Sequence, residues 1–268
     1  MARDDHDPSS LWTIDRGASC VVATAIHEGH VVRPEIAELY ALAPEERMRE
    51  EDPFTEFIIG RVPNRIVFRR SRFEVDLNRD RDGAVYLRPE QAWGLKVWNT
   101  DLSESHVATS LEIHDGYYEA LRTTLTAIER QHGRFAVLDV HSYNHRRAGP
   151  NAPPSDPVDA PDINIGTFSM DRDRWGDLVD ELIDHLGGFR IRGRALHVRE
   201  NVAFQGKGEQ TRFIHKHFPQ TGCAIAVEFK KFFMDEWTGE PDTETLLELR
   251  DMLASTVPLL ERALERVS

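Results

Sequence analysis

Three apolar runs in this chain break abruptly into residues able to hold a metal or move a proton, and no other feature constrains the fold as strongly. FAVLDV at 135–140 breaks into His141, Ser142, Tyr143, Asn144 and His145; CVVATAI at 20–26 breaks into His27, Glu28, Gly29 and His30; CAIAV at 223–227 breaks into Glu228. Runs of this length read as strands buried in a parallel or mixed sheet. The first polar residues past their carboxyl ends face the crevice where α/β enzymes bind ligands. Two strand-end histidines and a strand-end glutamate gathered at one sheet edge meet the needs of a hydrolytic metal centre: neutral imidazoles to hold zinc, and a carboxylate to take the proton from its water. Glu228 is the expected general base, because an apolar strand end raises a carboxylate's pKa toward neutrality.

Helical and strand patterns alternate between these runs. Ile36, Leu39, Tyr40 and Leu42, with Pro34 suited to a first turn, predict one helix over 34–49. Residues 65–68 predict a strand. Leu111, Tyr118, Leu121, Leu125 and Ile128 predict a long amphipathic helix over 107–130 that Gly133 ends. Prolines at 150, 153, 154, 157 and 161 predict a long irregular loop leaving the His141 strand, able to wall a site. A short strand at Ile163–Gly166, a helix over 175–186 with Leu178, Leu182, Ile183 and Leu186 inward, and a leucine-rich helix within 242–267 complete the pattern. No internal repeat is present.

Composition narrows the function. Against 33 basic residues stand 46 acidic ones, a formal charge of −13, which argues against nonspecific binding to nucleic acid or an anionic membrane. The first dozen residues are polar without a signal-peptide core, and nothing later approaches a membrane span, so a soluble protein is expected. Residues 1–12 are expected to form a flexible tail and 13–268 a single α/β domain. The two cysteines, Cys20 and Cys223, lie inside apolar runs and supply neither a disulfide framework nor a cysteine-rich zinc site. A reducing cytoplasm is the expected setting, with a Cys20–Cys223 disulfide left open.

Several pieces follow one another along the chain: His27 and Gly29; Glu51-Asp52; Arg72 with Val75-Asp76-Leu77-Asn78-Arg79; Asp139-Val140-His141-Ser142; Asp162 to Thr167; Gly206 and Gly208; and Glu228 before Met234-Asp235-Glu236. The set resembles the N-formylglutamate amidohydrolase family, which is related to zinc carboxypeptidases and aspartoacylase. The resemblance implies an α/β fold of the zinc-exopeptidase (phosphorylase/hydrolase-like) type, with a mixed sheet flanked by helices. It also implies one Zn2+ or another divalent metal on His27, His141 and an early carboxylate. Asp52 best matches that carboxylate, with Glu51 the other candidate. The carboxypeptidase relatives place a glutamate three residues after the first histidine; here that position is His30, which keeps another imidazole in play. His27-Glu28-Gly29-His30 is not the helical zincin motif, because its histidines are three apart and follow a strand.

The resemblance further assigns Asn78 and Arg79 to a substrate carboxylate, which suits the two parallel donors of a guanidinium, and Arg72 to the scissile carbonyl. A small-molecule N-acyl amino acid is the implied substrate. Among weaker candidates, Asp139 either orients a ligand histidine or is a plain strand-end charge. Asn164, Asn201 and Gln205 either line the pocket or sit at ordinary turns. Gly206-Lys207-Gly208 is too short for a phosphate site. His145, Arg146 and Arg147 depart from the family pattern, either as a basic solvated loop or as a pocket for a substrate other than formylglutamate. The rival functions are a carboxypeptidase-like peptidase and a metal-free carboxylate-binding protein.

Overall fold

The apolar runs at 135–140 and 223–227 lie in the two longest strands, β4 (Phe135–Tyr143) and β9 (Gly222–Lys230), buried along their whole length and paired in parallel. The computed structural model describes residues 11–267. Residues 1–10 of the expected tail lie outside the described residues; Trp12 already belongs to a strand. Around the central pair the strands are β1 (Trp12–Asp15), β2 (Val21–Ala25), β3 (Asn64–Phe68), β5 (Ile163–Gly166) and β8 (Val198–Glu200), in the order β1-β3-β2-β4-β9-β5-β8. β3, β2, β4 and β9 run parallel, whereas β1 and β5 pair antiparallel with β3 and β9, so the sheet is mixed. A separate two-stranded ribbon joins β6 (Arg190–Ile191) and β7 (Arg194–Ala195).

Strand alternation separates the two faces. Val21, Ala23, Ala136, Leu138, Cys223, Ile225 and Val227 share one core with α3 (Thr55–Ile59), α5 (Arg172–Gly187) and α7 (Thr243–Arg266). Their neighbours Val22, Phe135, Val137 and Ala224 share the other with α4 (Glu104–His132) and α6 (Glu209–His217). Helices thus cover both faces, as an α/β sheet with apolar residues on both sides requires. Ser103 caps α4 by accepting from His106 N–H, and Gly133 ends it at a φ of 79°. No helix among the described residues is long and apolar enough to cross a membrane.

The expected helix over 34–49 is instead two, α1 (Pro34–Ala37) and α2 (Pro44–Glu50). Pro44 is the cause: its ring holds Ala43 extended, with ψ of 155°, and lacks the N–H an interior turn needs, so it opens a new helix. The strands also run past their apolar runs. His141 and Glu228 sit two residues inside the ends of β4 and β9, not beyond them.

Candidate metal centre

On the α4 and α6 face, the inward row of β4 changes from Phe135 and Val137 to Asp139, His141 and Tyr143, while that of β9 continues from Ala224 and Ala226 to Glu228. Register places Thr24 beside Asp139, and His141 beside Glu228, which in turn faces Asn164 across the antiparallel pair. A cavity of about 300 Å³ opens over these polar rows, with His27, Asp52, Arg72, Asn78, Arg79 and Glu228 among its lining residues.

His27, Asp52 and His141 converge on one point, each buried, with one ligand atom apiece lying within 4.8 Å of the others. His27 Nδ1 is 3.4 Å and His141 Nδ1 3.1 Å from Asp52 Oδ2. Zinc with bonds of about 2.1 Å in a tetrahedron spaces its ligands by about 3.4 Å, so the trio fits such an ion. Two further observations agree. His27 Nδ1 is buried without a hydrogen-bond partner, while its Nε2 lies 2.7 Å from Asp76 Oδ1. His141 Nε2 lies 3.2 Å from Asp139 Oδ1. Each imidazole therefore has a carboxylate near its far nitrogen and its other nitrogen toward the shared point; at His27 the Asp76 bond is the arrangement that fixes the tautomer of a metal-bound histidine, whereas His141 Nε2 makes no hydrogen bond among the described residues.

Asp52 arrives through its backbone: its N–H donates to His27 C=O (2.9 Å), and its own carbonyl accepts from Thr55 Oγ1 (2.7 Å). Glu28 supports that turn by accepting from Phe54 and Glu56 N–H and from Thr55 Oγ1, a helix-capping task in place of any zincin role. Gly29 is required because a Cβ there would run into the Arg69 backbone. The alternatives for the third ligand do not reach the trio. Glu51 is extended at ψ 176°, so its side chain points away from that of Asp52; it meets His30 Nδ1 at 2.5 Å and accepts from Ser71 Oγ.

Electrostatics bind the cluster together. Burial disfavours the Asp52 and Asp76 carboxylates, but the His141 hydrogen bond and the nearby His27 imidazole in the first case, and the Arg72 charge and His27 in the second, outweigh it and hold both well below the usual range. Burial likewise opposes a charged His141, yet Asp139 and Glu228 outweigh it and hold the imidazole well above its ordinary value. The carboxylates thus demand a positive charge here, which a proton or a metal cation supplies. Burial pushes the Glu228 carboxyl up to about 7, as its place in the sequence leads one to expect.

Arg72 lines the cavity and is no surface charge: Nη2 donates to Asp76 Oδ2 (2.8 Å), its guanidinium lies 4.9 Å from the Trp93 ring, and its Nε has no partner among the described residues. The Asn78-Arg79 backbone is fixed from the helices, with Tyr118 donating to Leu77 C=O, Glu209 N–H to Asn78 C=O, and His114 Nε2 3.0 Å from Arg79 C=O. The Arg79 side chain is exposed at the cavity and makes no ion pair among the described residues. Gly208 packs so closely on the Asn78 side chain that a Cβ would collide with it, which accounts for one glycine of Gly206-Lys207-Gly208 without phosphate.

Asn164 takes a different place from the one expected. It is fully buried beside Glu228, and its amide is spent on backbone: Oδ1 accepts from Val202 and Ala203 N–H, and Nδ2 donates to Phe204 C=O. It braces the wall from which Phe204 and Gln205 line the cavity; Asn201 instead bonds Thr167. The proline-rich stretch 148–161 is irregular but does not line the cavity, whose lining includes Trp93, residues 142–144 and residues 204–208. Of the three basic residues after β4, Arg147 reaches the cavity and pairs with Glu50 at 3.3 Å.

Four residues with clear tasks received no role from the sequence, although Asp76 stands inside one of its motifs. Asp76 backs His27. Tyr86 donates to Asp76. Gln210 holds Asp139 at 2.5 Å and Thr24 at 2.7 Å. Lys231, whose ammonium burial pushes down to about 8, lines the cavity. Lys231 directly follows the Glu228 strand, so its position alone offered a hint.

The sequence matches the profile of the N-formylglutamate amidohydrolase family over residues 19–234. No curated protein matches it in sequence. Among solved structures, it is similar to the N-formylglutamate amidohydrolase from Ralstonia eutropha, with a TM-score of 0.72 and 18% identity over 96% of this chain and 98% of that one. It is also similar to a gene product of Agrobacterium tumefaciens, with a TM-score of 0.65 and 15% identity over 96% and 97% of the two chains. At these identities the two structures establish the fold.

Proposed function

We propose, for a chain that belongs to the N-formylglutamate amidohydrolase family, that it hydrolyses the amide bond of an N-acyl amino acid of the N-formylglutamate kind. The observation that carries this reading is the convergence of His27, Asp52 and His141, with an unpartnered His27 Nδ1 and with Glu228 in register beside His141. A zinc-class ion on these three residues would supply Lewis acidity toward the amide carbonyl and an acidified water. Glu228, raised to about 7, accepts a proton from the attacking water and delivers it to the leaving amine nitrogen. Arg72, charged and immobilised by Asp76, stabilises the oxyanion that develops on the carbonyl. Arg79, exposed without an ion pair among the described residues, takes the α-carboxylate through two parallel hydrogen bonds, with Asn78 beside it.

The net charge of −13 supports a small-molecule substrate over nucleic acid. Cys20 and Cys223 are both free, which supports a reducing, cytoplasmic setting. The test is product analysis with metal-reconstituted protein on N-formyl and N-acetyl amino acids beside short peptides. Release of free amino acid from the acyl compounds is expected. Turnover of peptides alone favours the carboxypeptidase-like rival, and no turnover despite stoichiometric metal overturns the proposal.

A further inference from the structure

The segment that delivers Asp52 is held at every carbonyl. Lys231 Nζ donates to Arg49 C=O (2.6 Å) and Glu51 C=O (2.7 Å), Arg72 Nη1 donates to Glu50 C=O (3.3 Å), and Thr55 Oγ1 donates to Asp52 C=O. Two of these four bonds come from one lysine, 1 % exposed, that lines the same cavity as the trio. Its own N–H donates to Tyr143 C=O (3.0 Å), two residues past His141, and it stands three residues past Glu228. One residue therefore ties the ends of the His141 and Glu228 strands to the loop that carries Asp52.

Burying an ammonium is costly, and neutral donors satisfy carbonyls elsewhere in this fold, as Thr55 does for Asp52. Lys231 spans what no shorter side chain reaches: two carbonyls on either side of Glu50, approached from the sheet. Both bonds fix the backbone immediately before a side chain whose oxygen sits 3.1 and 3.4 Å from the two histidines. Slack of a few tenths of an ångström there changes the ligand spacing directly.

We propose that Lys231 is a positioning residue for metal binding, which holds Asp52 at the spacing from His27 and His141 that a cation requires. The inference rests on the trio being a metal centre, and it makes Asp52 the route of the effect. Zinc affinity is measured by chelator competition on the full chain in wild type, Lys231→Met, Asp52→Ala and the double variant, with amide hydrogen exchange over 49–52. Lys231→Met is expected to weaken zinc about 10- to 100-fold, the range for a residue supporting a ligand. It is also expected to speed exchange in that segment and to add nothing once Asp52 is alanine. Should Lys231→Met not fold, Lys231→Gln, which keeps a neutral donor for one carbonyl, enters the same cycle with a smaller expected loss. Zinc affinity within about twofold of wild type, or an equal loss with and without Asp52, overturns the inference. Wild type that takes up no zinc overturns the metal-centre reading beneath it.

Discussion

Asp76→Asn separates a metal centre from a mere cluster of buried charge. Asp76 is fully buried and spends both oxygens: Oδ1 faces His27 Nε2 (2.7 Å) and Asn78 N–H (2.8 Å), while Oδ2 accepts from Arg72 (2.8 Å) and from the Tyr86 hydroxyl. An asparagine has the same shape but only one acceptor oxygen. If that oxygen faces His27, the amide NH2 confronts the Arg72 guanidinium, donor against donor. If it faces Arg72, the NH2 donates to His27 Nε2 and drives the imidazole proton onto Nδ1, the atom that must offer its lone pair to a cation shared with Asp52. The second arrangement is the better one, because leaving a buried guanidinium unpaired costs about 3–5 kcal/mol.

Loss of the correct tautomer and of the charge behind the ligand should weaken zinc about 10- to 100-fold. That is about 1.4–2.7 kcal/mol of binding free energy. Chelator competition measures the affinity, and nitrogen NMR of labelled histidine in the metal-free protein reads which ring atom holds the proton. Glu51→Gln is the control, since Glu51 engages His30 and Ser71 and should leave zinc affinity within about twofold. A folded Asp76→Asn that binds zinc like wild type, with His27 still protonated on Nε2, would refute the reasoning.

Glu228→Gln should retain the metal and lose about 10²-fold or more in kcat, because an amide accepts no proton; near-normal turnover with metal bound removes Glu228 from the mechanism. With its carboxyl at about 7, Glu228 is protonated and idle in acid, so kcat/KM should rise with pH. A cation in the trio favours the carboxylate and moves this limb below 7, so an acidic limb above 7 contradicts the assignment. Arg79→Lys should reduce discrimination between a free acid and its amide-blocked analogue by about 1–3 kcal/mol in kcat/KM; a wild type that already processes the blocked analogue equally well rules out carboxylate anchoring. Asn164→Ala frees Val202 N–H, Ala203 N–H and Phe204 C=O, so hydrogen exchange over 202–206 should speed up and KM rise. Unchanged exchange there means the wall does not depend on Asn164.

What the sequence made legible follows from burial. A strand covered on both faces must be apolar at nearly every position until it reaches the site, so the breaks at His27, His141 and Glu228 marked both the sheet and the centre. Short-range signals also located Ile163–Gly166 and the cap at Gly133. Asp76 was illegible because its role depends on a partner 49 residues away, brought close only when the segment after β3 folds back over the sheet edge. Glu51 and Asp52 carry nearly the same local signal. Their roles separate only because the chain leaves α2 extended, which turns consecutive side chains to opposite sides.

Strand alternation puts the cavity on one face of the sheet. Along β4 the residues toward α5 and α7 stay apolar through Ala136, Leu138 and Val140, while those toward α4 and α6 turn polar at Asp139. A polar group on the first face would meet a continuous apolar layer and lose its hydrogen bonds to water without replacement. On the second face Gln210 and Thr24 donate to Asp139 Oδ1, and beyond them the helical cover ends. The candidate metal ligands therefore occupy a region where a buried sheet can present imidazole and carboxylate to a small molecule, above an anchored polar row and beyond the last apolar one. Gln210 lies at that boundary, and replacing it with leucine should leave Asp139 with the Thr24 hydroxyl as its remaining donor and loosen His141 while leaving the opposite core intact.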